Sequence, residues 1–225
     1  MLRRHPTSLR GEGTLYRRVT YASALKWVCE VMEISATQNA LMYFVLPLWL
    51  VAGFADYLCH RAANIEGTSG VKETLLHLLQ FAEMAVPTLA AMFLQINALI
   101  ILVMIVCLIL HEATAIWDVS YANKTREVAP IEQHVHSFLE MLPLMGLVLV
   151  VVLHWGQFLA LFGLGSERAQ FVIAAKQPPL PLTYIVVMLS LIFLFDVLPY
   201  FEELLRGLRH RRHRQGSAVR VAKDS

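Results

Sequence analysis

Apolar residues run through this chain in long blocks separated by short polar stretches. A helix needs about 20 mostly apolar residues to cross the hydrocarbon core of a bilayer. Segments 39–58, 140–164 and 182–201 meet that length. A further stretch, 71–118, carries little polar punctuation besides Gln95 and Asn97. As one helix it would extend about 72 Å, more than twice the core thickness, so the pattern predicts two spans turning near 94–97. Segment 19–37 is less apolar, because Lys26, Glu30 and Glu33 fall within it. The expected fold is therefore an all-α integral membrane protein, a bundle of five or six transmembrane helices. It divides into a basic N-terminal segment (1–18), a transmembrane domain (19–205) and a basic tail (206–225).

The polar residues inside these helices recur on one face. Glu73, His77 and Gln80 stand at i, i+4 and i+7, with Leu75, Leu76, Leu78 and Leu79 between them. That is the reverse of a soluble amphipathic helix and predicts an inward polar face with leucines toward lipid. Three segments carry a carboxylate followed four residues later by histidine: Asp56/His60, Glu73/His77 and Glu132/His136. At that spacing the two side chains lie one turn apart on the same face. His111, Glu112 and Asp118 form a fourth set, and His134 and Glu140 flank the third pair. With spans alternating in direction, all four sets fall at the same membrane face whether the chain crosses five times or six.

Composition agrees with this picture and removes other classes. Of 225 residues, 57% are hydrophobic and 16% charged, against about 45–50% and 25% in soluble domains. Disorder, a coiled coil and nucleic-acid binding are excluded as the main character of the chain. Cys29, Cys59 and Cys107 are too few and too scattered for a disulfide framework or a CxxC metal site. Basic residues extend to Arg18 with no clean apolar stretch directly after them, so no signal peptide is expected. With six spans, seventeen of the nineteen lysines and arginines fall on one side; with five, eleven face eight. The positive-inside bias thus favours six spans, in a bacterial-type inner membrane, with both termini and the polar cluster cytoplasmic. The tail 206–214 (RGLRHRRHR) then lies near anionic lipid.

So many ionisable groups inside a bundle are costly to bury without a compensating ion. Carboxylates and imidazoles projecting inward from several helices resemble the way bundle-type di-iron and di-manganese sites are built. The spacing here is i, i+4 and not the Glu-x-x-His of those bundles, and the HxxHH boxes of membrane desaturases and hydroxylases are absent. His60, His77, His111 and His136, with Asp56, Glu73, Glu112 and Glu132, are the principal candidate metal ligands. Asp118, His134 and Glu140 form a lower tier, and the i, i+4 carboxylates are also placed to orient their own imidazoles. The donor count suits two metal ions better than one. A set without thiolate suits iron, with zinc and manganese as alternatives.

Iron predicts an oxidoreductase acting on a membrane lipid or other apolar substrate, served by an electron-donor protein. Zinc predicts a membrane hydrolase. Histidines paired across helices predict b-type haem, against which the acidic neighbours speak. A transporter is the remaining class: Lys26, Glu30, Asp196 and Glu203 extend a polar path, although no inverted repeat is visible. Arg61, Lys72 and Arg126 flank the cluster and suit a lipid headgroup phosphate. The loop Gly67–Gly70 offers Thr68 or Ser69 as a helix cap. His154, with Gln95, Asn97 and Gln157, forms a smaller polar set toward the opposite face.

Overall fold

The computed structural model describes Met32 and residues 35–224, with side chains through residue 217. Among the described residues five helices are long and apolar enough to cross a membrane, and there is no strand. They point to a membrane protein. Most of the sixth candidate span, 19–37, lies outside the described residues, as do the basic segment 1–18, Lys26 and Glu30.

Helices α1 (Ser35–Ala63), α2 (Val71–Phe93), α3 (Ala98–Thr125) and α4 (Pro130–Leu153) are followed by a short α5 (Trp155–Leu161) and the long α6 (Leu182–Ser217). Helix α2 packs along α3, α1 packs along α4, and α6 closes the bundle against α1 and α2. The fourth span starts ten residues before the expected 140 and ends at Leu153, because Pro130 suits the first turn of a helix. The tail does not leave the last span as a separate segment: helix continues to Asp224.

Each connection places chemistry. Helix α1 ends on Asn64 in the left-handed conformation (φ 50°), followed by a 3-10 turn at Ile65–Gly67. Gly70 (φ 65°) then reverses the chain into α2. Neither Thr68 nor Ser69 caps that helix through its side chain. This tight reversal sets His60 beside Glu73. At the other face α2 and α3 are separated by residues 94–97, where the turn is predicted. The backbone released there is satisfied by the loop before α6: Gln95 N donates to Ala174 O at 2.9 Å and Lys176 N to Phe93 O at 2.8 Å. Asn97 Oδ1 accepts from Ile100 N (3.2 Å), and its Nδ2 donates to Val172 O (2.7 Å). Non-helical backbone at membrane depth must find partners within the protein, and Gln95, Asn97 and Gln157 supply them.

Pro47 and Pro199 each follow a π-helical turn, Leu41–Val45 and Phe193–Val197. A proline ring clashes with the carbonyl four residues before it, and one wider turn relieves that clash. The outer surface is apolar, with Leu75, Ile109, Ile116 and Val152 each about half exposed or more. A soluble monomer rarely shows so extensive a patch; hydrocarbon is its natural solvent.

Candidate metal centre

Polar side chains converge at the face where α1 ends, α2 begins, α3 ends and α4 begins. Asp56, His60, Glu73, Asp118 and Glu132 are all 2% exposed or less, and His77 is 6%. Helical spacing delivers each pair as expected: residues four apart present to one side, so one helix contributes two donors a turn apart.

The three imidazoles surround Asp56. His60 Nε2 lies 3.4 Å and His77 Nε2 3.6 Å from Asp56 Oδ2, and His136 Nδ1 lies 3.1 Å from Oδ1. Asp118 Oδ2 approaches His77 Nε2 at 3.1 Å and His136 Nε2 at 3.3 Å. His60 Nε2 also lies 3.6 Å from Glu132 Oε1 and 3.8 Å from Glu73 Oε1. Three groups have their donor atoms close enough to share an ion: Asp56, His77 and His136; His60, His77 and Glu203; and His60, Glu73 and Glu132. His60 and His77 each belong to two of them.

Several of these atoms are near one another without being hydrogen-bonded. His60 Nε2, both nitrogens of His77 and Asp118 Oδ1 are buried and make no aligned hydrogen bond. Buried polar atoms are nearly always satisfied. Orphaned buried polar atoms on His60 and His77, within reach of carboxylates that could share an ion with them, fit a metal.

Arg126 has a different place from the one expected. It is not a free headgroup ligand: its side chain is 4% exposed and forks between two acids. Nε and Nη2 donate to Glu73 at 3.2 and 2.5 Å, Nη1 donates to Glu132 Oε2 at 3.0 Å, and Nη2 also reaches Glu132 Oε1. Burial opposes its charge, but the hydrogen bonds to Glu132 and Glu73 outweigh this and hold its pKa above the ordinary value. The other two flanking cations are also engaged. Arg61, 57% exposed, meets Glu202 at 3.7 Å, and Lys72 stands 4.2 Å from the centre of the Tyr121 ring.

The i, i+4 carboxylates do not all orient their own histidines. Asp56 contacts His60, but Glu73 and Glu132 turn to Arg126, while His77 and His136 take carboxylates from other helices. His111 is buried on α3 and lines an apolar cavity with His77, outside the three groups. Glu112 and Glu140 are half-buried and close enough to repel each other, away from the cluster. His134 is exposed, with its ring edge-on to Phe138 at 5.3 Å.

Helix α6 adds residues that sequence reasoning left elsewhere. Glu203, 1% exposed, accepts from Thr74 Oγ1 at 2.8 Å and lies 3.2 Å from His60 Nδ1. The Tyr200 hydroxyl stands 3.0 Å from Asp56 Oδ2 and 3.1 Å from the Gly53 carbonyl. The signal in the sequence is a carboxylate deep in the basic end of the last span, seven residues beyond Asp196, a spacing that equally suits a conduction path. Arg206 pins α6 to the α1–α2 connection through Glu66 at 3.3 Å.

The centre opens onto apolar space. A cavity of about 240 Å³ is lined by His77, Gln80, His111, Asp196 and Tyr200, with Leu, Phe and Met side chains completing the wall. The chain matches no family model, no curated protein and no solved structure.

Proposed function

We propose that this chain is a membrane metalloenzyme whose buried cluster holds two divalent ions, iron by preference, and oxidises the hydrocarbon part of a lipid or similar apolar substrate. One observation carries the reading. Among the described residues, Asp56, Glu73, Asp118, Glu132 and Glu203 place five carboxylates in the interior, with the Arg126 guanidinium alone set among them. With neutral imidazoles, four negative charges remain uncompensated. Uncompensated buried charge is expensive, and two divalent cations cancel it. Oxygen and nitrogen donors without thiolate favour iron, manganese or zinc.

His60, His77 and His136, with Asp56, Asp118, Glu73, Glu132 and Glu203, are the residues that would hold the ions. Bound iron would supply oxygen-dependent insertion of one oxygen atom into a C–H bond, the other leaving as water with two electrons from a donor protein and two protons from solvent. The chain's own residues do the rest. Arg126 fixes Glu73 and Glu132 from the aqueous side, Thr74 orients Glu203, and the Tyr200 hydroxyl holds Asp56. The apolar cavity beside His77 admits a hydrocarbon and keeps bulk water from the reacting position. Carboxylates interleaved with imidazoles, whose ring centres are 4.4 Å apart for His60 and His77, favour bare ions over a porphyrin.

Elemental analysis of protein purified in detergent without chelators, with a visible spectrum, tests the proposal. About two iron atoms per chain and no Soret band are expected, with His77→Ala and His136→Ala each losing most of that iron. Stoichiometric zinc would move the chemistry to metal-activated water and hydrolysis. Absence of metal, or full metal in both variants, would overturn the centre.

A further inference from the structure

A second and larger cavity, of about 400 Å³, lies between the helices on the loop side of the first. The two share Leu46, Trp49, Met84 and Thr88 as a common wall, so they lie end to end through the bundle. Almost all of the larger chamber is aliphatic or aromatic, except at its far mouth, where Lys176, His154, Gln95 and Gln177 gather. Among the described residues Lys176 has no ion pair and no side-chain hydrogen bond, and no carboxylate lines either end of its chamber. Burial holds its ammonium pKa below the ordinary value. A half-buried cation at the mouth of an apolar chamber is costly without an anion to meet it. Its depth is set by the backbone, because Lys176 N is bonded to Phe93 O at the end of α2. From residue 93 back to His77 the helix rises about 24 Å, well past the roughly 15 Å that separates a membrane surface from the bilayer midplane.

We propose that the two chambers together bind one amphiphile, with an anionic head at Lys176 and a long hydrocarbon tail that runs past Trp49 toward His77 and Tyr200. The assignment deepens the oxidative reading of the centre, on which it rests for the fate of the tail. Oxidation would then fall far from the head, at a position set by the distance between Lys176 and His77. Carboxylate and phosphate heads share the chemistry that Lys176 recognises.

The test is a titration of the full-length chain in micelles with oleate, oleyl phosphate and oleyl alcohol, followed by native mass spectrometry. A charge-assisted contact is worth about 1.5–3 kcal/mol, so an anionic probe should bind about tenfold or more tightly than the alcohol. Lys176→Gln should remove that preference while leaving the alcohol unchanged, and Lys176→Arg should keep it. Gly146 lines the chamber, and an added Cβ would meet only Leu41 Cδ1, in ordinary contact at 3.8 Å. Gly146→Phe should therefore weaken all three probes. Preference for oleate over oleyl phosphate identifies a fatty acid, and the reverse a phosphorylated lipid. Equal binding of acid and alcohol to the wild-type chain, or an undiminished preference in Lys176→Gln, overturns the proposal. Metal content measured on the same preparations separates the two readings. Head-group preference without metal upholds the amphiphile and defeats the oxidative centre, while metal without head-group preference does the opposite.

Discussion

Arg126 shows how much one buried side chain contributes here. Its five donors match two carboxylates at once, which a lysine ammonium cannot reproduce. Removing one partner of a buried ion pair costs about 3–5 kcal/mol, because the remaining charge is stranded. Arg126→Met is expected to lower the thermal midpoint in detergent substantially and Arg126→Lys by less; equal stability of all three would refute the clamp. His154 provides a case with the opposite sign. It stands at the end of α4, and burial, with Lys176 nearby, holds its pKa below the ordinary 6.5. The folded state therefore binds fewer protons than the unfolded one. Stability from the neutral ring is present above the unfolded pKa and is lost as pH falls below it. His154→Gln should flatten the decline in midpoint between pH 7 and 5 relative to the wild-type chain.

At the level of elements, α1 and α6 come close together at Gly53. A Cβ at Gly53 would sit 2.6 Å from Asp196 Oδ1, on the π-helical turn of α6. Asp196 is 8% exposed, its Oδ1 has no hydrogen-bond partner, and it faces the smaller cavity. Overpacking typically costs about 1–3 kcal/mol. Gly53→Ala should therefore reduce stability, and adding Asp196→Ala should recover most of the loss because it removes the obstructing atom. A double variant no more stable than Gly53→Ala alone would show that helix spacing, and not the carboxylate, is what the glycine permits. The same crossing brings Tyr200 and Glu203 into the cluster. Without α6 in this position the centre loses its Glu203 carboxylate and the hydroxyl that holds Asp56.

For the whole molecule, five helices bring buried carboxylates and imidazoles together in a cluster that could hold a metal ion. An ion that binds the folded state alone stabilises it by about 2.7 kcal/mol at a hundredfold excess over its dissociation constant. Chelation is thus expected to lower the midpoint of the wild-type protein, and restoring the ion to reverse the change. His77→Ala should show little of either response. A wild-type midpoint indifferent to chelation would argue that protonated imidazoles balance the carboxylates.

The amino-acid sequence by itself determined the membrane-length helices, the turn at 94–97 and the gathering of Asp56, His60, Glu73, His77, Asp118, Glu132 and His136 at one face. These follow from hydrophobic length, from a 3.6-residue period and from the alternating direction of successive spans, all local properties. Only the tertiary structure decided which atoms meet. Glu73 and His77 share a face, yet one turns to Arg126 and the other to Asp118, because partners on neighbouring helices depend on rotation and depth that periodicity does not encode. Glu203 and Tyr200 enter through the packing of α6 against α1 and α2, more than a hundred residues away in sequence. His111, about two turns before Asp118 on α3, lines the cavity instead of the cluster for the same reason.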